Sequence, residues 1–149
     1  MLEFTGVFPV YGVDIEINTA GDVAGDAGTW VTIADMESAG LAIETGVEKW
    51  HSLTEDGWQR ALATAKALTL SMKGKRCIGD PGNDYIASKE FANGRDCDSR
   101  VRITFPDGAK FECGVVISVT EMLGETTNVS PLGFDLTSNG KPTYTPATA

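Results

Sequence analysis

Apolar and polar residues alternate with a period of two along most of this chain, and Gly, Pro and Asp punctuate the runs. Side chains of a strand point to opposite faces in turn, so this pattern builds strands with one apolar face joined by tight turns. Tyr11, Val13, Ile15 and Ile17 alternate with Gly12, Asp14 and Glu16, which predicts a first strand. The small polar residues 18–28 form a loop, expected to order only on assembly, and a short strand follows over Trp30 to Ile33. Leu41, Ile43, Thr45 and Val47 alternate with Ala42, Glu44, Gly46 and Glu48 in a second long strand ending near Trp50 and His51.

Residues 58–72 carry two conflicting signals. Ala61, Leu62, Ala63, Ala65 and Ala67 favour helix by propensity. From Ala67 onward, however, Leu68, Leu70 and Met72 alternate with Thr69, Ser71 and Lys73. The pattern predicts a strand over 67–77 and irregular structure over 55–66. One helix is expected from Tyr85 to Ala92, with Asp84 as N-cap after the turn Pro81-Gly82-Asn83 and Asn93-Gly94 as the stop.

The strongest local prediction is a hairpin around Pro106-Asp107-Gly108. A two-residue loop would pair Phe105 with Lys110 and set apolar against charged side chains along the ladder. A three-residue loop with Gly108 in the left-handed region instead pairs Ile103 with Phe111 and Val101 with Cys113. It also sets Arg102 opposite Glu112, and a one-residue slip would turn every side chain over, so this register is preferred. Residues 121–128 read as a polar loop, Leu132, Phe134 and Leu136 as a last strand, Asn139-Gly140 as a turn, and 145–149 as a frayed tail.

With 149 residues the chain is expected to be a single domain over 1–149, able to bury roughly 68–70% of its unfolded surface without staples. No run of about 18 apolar residues is present to span a membrane. The first residues have no basic and apolar leader pattern, so the product is expected to stay in the cytoplasm where it is made. Cys77, Cys97 and Cys113 are widely spaced, and with one histidine they match no zinc-ligand spacing, so no metal or other cofactor is expected. Gly79 to Asp84 does not have calcium-loop spacing and reads as a capping turn. His51 has no nucleophile motif beside it, and no phosphate-binding or dinucleotide loop occurs. No catalytic residue is predicted, and the chain is not read as an enzyme. A net charge of −9 argues against a protein that grips nucleic acid by its phosphates. Arg95, Arg100 and Arg102 are too few for such a footprint and suit an acidic neighbouring subunit better.

Antiparallel sheets with one polar face have edges, and a long free edge invites pairing with another chain. In a polymerising protein that liability becomes the means of assembly, since edges joined around a ring disappear.

The order of these signals resembles the major tail tube proteins of long, non-contractile-tailed phages (the siphophage type) and related phage tail-like particles. The similarity runs through Trp30-Val31-Thr32-Ile33-Ala34-Asp35-Met36-Glu37, the acidic strand 41–49, Glu55-Asp56-Gly57-Trp58-Gln59-Arg60, the strand 68–76 and Gly79-Asp80-Pro81-Gly82-Asn83-Asp84. It continues through the hairpin at 106–108, Val115 to Glu121, and Leu132 to Pro142. The resemblance implies a mainly β subunit, two packed antiparallel sheets in a β-sandwich or barrel-like arrangement with one short flanking helix. It implies homohexameric rings whose inner strands form a continuous barrel, stacked into a virion tail tube assembled in the host cytoplasm. Partners would be the tape-measure protein, the tail terminator and the baseplate or distal tail proteins, with DNA in transit through the lumen.

By the same resemblance the segment 50–66 would be an inter-subunit arm. Trp50, Trp58 and Arg60 at its ends, with Arg100 and Arg102, are candidate contacts between subunits. Core packing within one subunit is the equal alternative for the two tryptophans. Asp14 and Glu16, or Glu44 and Glu48, are candidates for an acidic lumen lining. Two other readings stand beside this one: a tube protein of a contractile or type VI-like machine, and a monomeric ligand-binding β-sandwich with exposed aromatics in a pocket.

Overall fold

The computed structural model describes residues 5–147. The strands are β1 (Asp14–Asn18), β2 (Trp30–Thr32), β3 (Met36–His51), β4 (Gln59–Lys75), β5 (Asp98–Thr104), β6 (Lys110–Met122), β7 (Pro131–Ser138) and β8 (Thr143–Thr145), with one α-helix, α1 (Pro81–Ala87), after β4. The mainly β architecture with a single short helix is as expected. The strands join in one hydrogen-bonded antiparallel sheet, in the order β2-β1-β5-β6-β7-β4-β3, with β8 paired to the start of β6. The sheet is not closed, and it curls so that one face lies inside. Leu70 of β4 and Val101 of β5, with two strands between them in the order, line the same small cavity. The layered arrangement therefore comes from a single sheet bent over itself.

The core holds Ile17, Val101, Ile103, Cys113, Val115, Ile117, Leu132, Phe134, Leu136, Leu70 and Met72, with Ile86 of α1 packed against them. These residues are the inward members of the alternating runs. The β5–β6 hairpin has the three-residue register expected of it: Ile103 pairs Phe111, Val101 pairs Cys113, and Arg102 pairs Glu112. Gly108 has φ +92°, a left-handed conformation that glycine adopts without a Cβ penalty.

Several expectations are corrected. Helix α1 begins at Pro81, not Tyr85, and its N-cap is Asp80, whose carboxylate accepts from the Asn83 amide at 2.9 Å. Proline at the first helical position is well placed, because its missing N–H would have no helical partner there. Asp84 instead binds the Arg76 guanidinium at 2.7 Å. The second correction concerns 55–66, which is not irregular. A 3-10 turn over Leu53–Glu55 leads into Asp56 (φ 51°) and Gly57 (φ +82°), and β4 starts at Gln59.

A β-bulge explains why alternation hid this strand. Gly46 pairs Ala65 but Val47 pairs Ala63, so Thr64 is the extra residue on β4. Leu62 pairs Glu48 on one face, whereas Leu68 pairs Ile43 on the other, although the two leucines are an even number of residues apart. Beyond β7, Thr145 belongs to a further strand, β8, and not to a tail, while Thr148 and Ala149 lie outside the described residues.

Two buried asparagines fasten the irregular segments. The Asn18 side chain accepts from the Ala20 and Thr29 amides and donates to the Val23 carbonyl, so loop 19–29 is held against β1. The Asn83 side chain accepts from Arg76 and the Cys77 amide and donates to the carbonyls of Ala34 and Lys75. It thereby ties α1 to both the entrance of β3 and the exit of β4.

Candidate assembly surface

Strands β3 and β4 pair from Met36–Gly74 to His51–Gln59, which makes one long hairpin. Only its lower part is rooted in the body, where β4 pairs β7 from Thr69 to Lys75. Beyond that the hairpin is two-stranded, and every residue from Gly40 to His51 on β3 and from Gln59 to Ala67 on β4 is exposed. Register assigns its two faces. Leu41, Ile43, Thr45 and Val47 pair Leu70, Leu68, Lys66 and Ala63, continuing the core face of the body outward. Leu41 is 37% exposed, Ile43 62% and Val47 45%, so this apolar stripe leaves the core and meets no cover among the described residues. Exposed apolar stripes of this kind are a common feature of interaction sites.

The opposite face carries Ala42, Glu44, Gly46, Glu48 and Trp50, paired with Thr69, Ala67, Ala65, Leu62 and Arg60. It continues into the body through Gly40, Ser71, Asp135 and Ser118, which lie in one row across four strands. Lys73 and Glu121 form a 2.9 Å ion pair on the same face, one row nearer the base. Small and polar side chains dominate this surface, and acids outnumber bases on it. Asp135, Lys73 and Glu121 were not singled out from sequence; alternation with Phe134 and Met72 carries the signal for the first two, whereas Glu121 reaches this face through the bulge after Val119.

The candidate contacts separate into two groups. Trp50, Trp58 and Arg60 meet at the hairpin tip, where the Arg60 guanidinium lies 5.9 Å from the Trp50 ring centroid and 4.0 Å from Glu55. Trp58 is 77% exposed and Leu53 beside it fully so. Neither tryptophan is in the core of its own subunit. Arg100 and Arg102 stand elsewhere, on β5, and are already partnered. Arg100 binds Asp22 at 2.9 Å and Glu112 at 3.4 Å, and Arg102 binds Glu112 at 3.1 Å. Arg102 also stacks 4.1 Å from the centre of the Trp30 ring, and the Glu112 carboxylate accepts from the Gly25 amide. These arginines clamp loop 19–29 onto the outside of the sheet.

The acidic candidates also part. Glu44 and Glu48 share the polar face of the hairpin. Asp14 and Glu16 stand on β1, near the other end of the strand order, opposite Thr104 and Arg102. Both pairs lie on the outward face of the sheet, at opposite ends of the strand order, and Glu44 and Glu48 are the pair on the hairpin.

Among the described residues no group of three or more His, Cys, Asp or Glu is placed to hold a metal ion. The three cysteines are free. The Cys77 thiol is pushed up by its hydrogen bond to Asp35, and the Cys113 thiol by burial.

The phage tail tube protein family matches this sequence over residues 15–144, from β1 through β8. The chain belongs to that family. No curated protein matches it in sequence. Among solved structures, the tail of an empty gene transfer agent particle is similar with a TM-score of 0.75 at 15% identity, covering 94% of this chain and all of that one. The virion of a native gene transfer agent gives a TM-score of 0.73 at 15% identity, with 94% and 100% covered. A chain in the tube-terminating cap of the anti-feeding prophage gives 0.57 at 13% identity, with 97% and 95% covered. A tail tube protein is a structural component of a phage-type tail.

Proposed function

We propose that this tail tube protein forms hexameric rings that stack into the tube of a siphophage-type tail, the conduit for tape-measure protein and DNA. The observation that carries the reading is β3: a 16-residue edge strand, unpaired along one side, with an apolar face that its own subunit leaves bare. Such an edge is a template for another strand, and in a closed ring it disappears. The C6 symmetry of the gene transfer agent tail, whose subunit shares this fold, supports six copies per ring.

On this reading the hairpin is the inter-subunit arm, with Trp50, Trp58 and Arg60 as its contacts. Arg100 and Arg102 serve the subunit's own loop. The polar face with Glu44, Glu48 and Asp135 lines the lumen, where carboxylates repel DNA phosphates over roughly 8–10 Å. Other partners are the proteins at the two ends of the tube, and assembly takes place in the host cytoplasm.

Negative-stain microscopy with light scattering across a concentration series tests this. Hollow tubes or rings of uniform diameter are expected from the unaltered chain, alone or with the particle's initiating components. Monomers under both conditions would refute it.

A further inference from the structure

The polar surface described above belongs to four strands in the order β3-β4-β7-β6, and both outer strands of that group have an open edge. Among the described residues no strand pairs with the outer side of β3. Strand β6 is covered by β5 only as far as Val116, opposite Asp98, so Ile117 to Met122 is paired on the β7 side alone. With four antiparallel strands per copy, β3 and β6 run in opposite directions. Copies related by rotation therefore bring β6 of one beside β3 of the next in antiparallel sense, with no strand reversed.

Each open edge also has a complementary feature on the core side. Beside the free edge of β6, Phe91 follows α1 and is 92% exposed, flanking a hollow with Val119, Met122 and Leu123. Beside the free edge of β3 lies the cleft where the curled sheet fails to close, lined mainly by apolar residues such as Tyr11, Val13, Ile33 and Ala39, with Asp14 and Glu37 among its polar members. An exposed aromatic ring and the apolar part of that cleft are each costly to leave in water, and burial of one against the other lessens both costs.

We infer that Phe91 of one copy inserts into the β1–β3 cleft of the next as β6 from Ile117 to Met122 pairs with the edge of β3. The inference rests on the ring reading and names the edge, the ring and the cleft that would join neighbours. It makes Phe91 an assembly anchor that contributes nothing to the isolated subunit.

The test is Phe91→Ser, with the doubly substituted Phe91→Cys/Ala39→Cys protein as a second arm. Phe91→Ser is expected to leave the thermal midpoint of the monomer unchanged and to raise the concentration needed for tube formation at least tenfold. In tubes of the cysteine pair, oxidation is expected to give covalent multimers ending in a closed ring, with neither single variant doing so. Phe91→Ser tubes forming at the unaltered concentration, or tubes of the cysteine pair that yield no multimers, would overturn the inference and leave the ring reading standing. Should Phe91→Ser unfold, the cysteine pair decides. If the unaltered chain never assembles, the ring reading fails and this inference with it.

Discussion

Strands β5 and β3 are written in the same alternating pattern, yet they meet different surroundings. In β5, Ser99, Val101 and Ile103 are buried and the residues between them half-buried, because the curled sheet covers one face and loop 19–29 the other. In β3, Leu41, Ile43 and Val47 have the same spacing and remain exposed. The apolar face of β5 is completed by its own chain, whereas that of β3 is left open. Hydrophobic patterning thus specifies a buried face without specifying who buries it, and the difference divides the molecule into a self-sufficient body and an arm dependent on assembly.

The largest effect expected from breaking the body is Phe134→Ala. The ring is 1% exposed, and its truncation should cost about 3–5 kcal/mol of monomer stability by urea denaturation. Leu62→Ala on the arm, 59% exposed, should stay within about 0.5 kcal/mol in the same assay. Equal losses at the two sites would erase the division. Asn83→Ala comes next, since it removes four hydrogen bonds and leaves buried partners unsatisfied. A loss of about 3 kcal/mol is expected. The Cys77 amide, which donates to the Asn83 side chain, should also lose hydrogen-exchange protection.

Trp58→Ala reverses the pattern. The monomer's denaturation midpoint should not move, while the critical concentration for assembly should rise about 30-fold, or about 2 kcal/mol. Light scattering on the two proteins side by side measures this.

The smallest expected effect is a pH dependence at the base of α1. The Arg76 guanidinium holds the Asp84 carboxyl below its ordinary range, helped by the Gly79 amide and opposed by desolvation. A depressed folded-state pKa means that the contribution is complete above the unfolded carboxyl's range. It is lost as pH falls from about 4 through the lowered value. Asp84→Asn should flatten thermal stability over that acid interval and leave its slope at neutral pH unaltered.

Most strands were legible because period-two alternation is local, and so was the β5–β6 register. A turn with one left-handed glycine and the Arg102–Glu112 pair select it within a dozen residues. The arm was less legible. Its turn signal, Asp56-Gly57, is the kind of pair that takes left-handed conformations at both positions of a tight hairpin. One bulge at Thr64, however, shifted the faces of β4 and left the alanine-rich stretch looking helical or irregular. The start of α1 was similarly obscured, because Asp80 and Asn83 take their roles from the carbonyl and amide of Ala34, far away in sequence.

The sequence alone determined that this chain is a β protein of amphipathic strands with one short helix and one fully registered hairpin, since those features depend on neighbours along the chain. Only the tertiary structure decided which edges stay open, which acids share a face, and which arginines are already occupied. Those follow from the order of strands and the curl of the sheet, and contacts between distant residues set both.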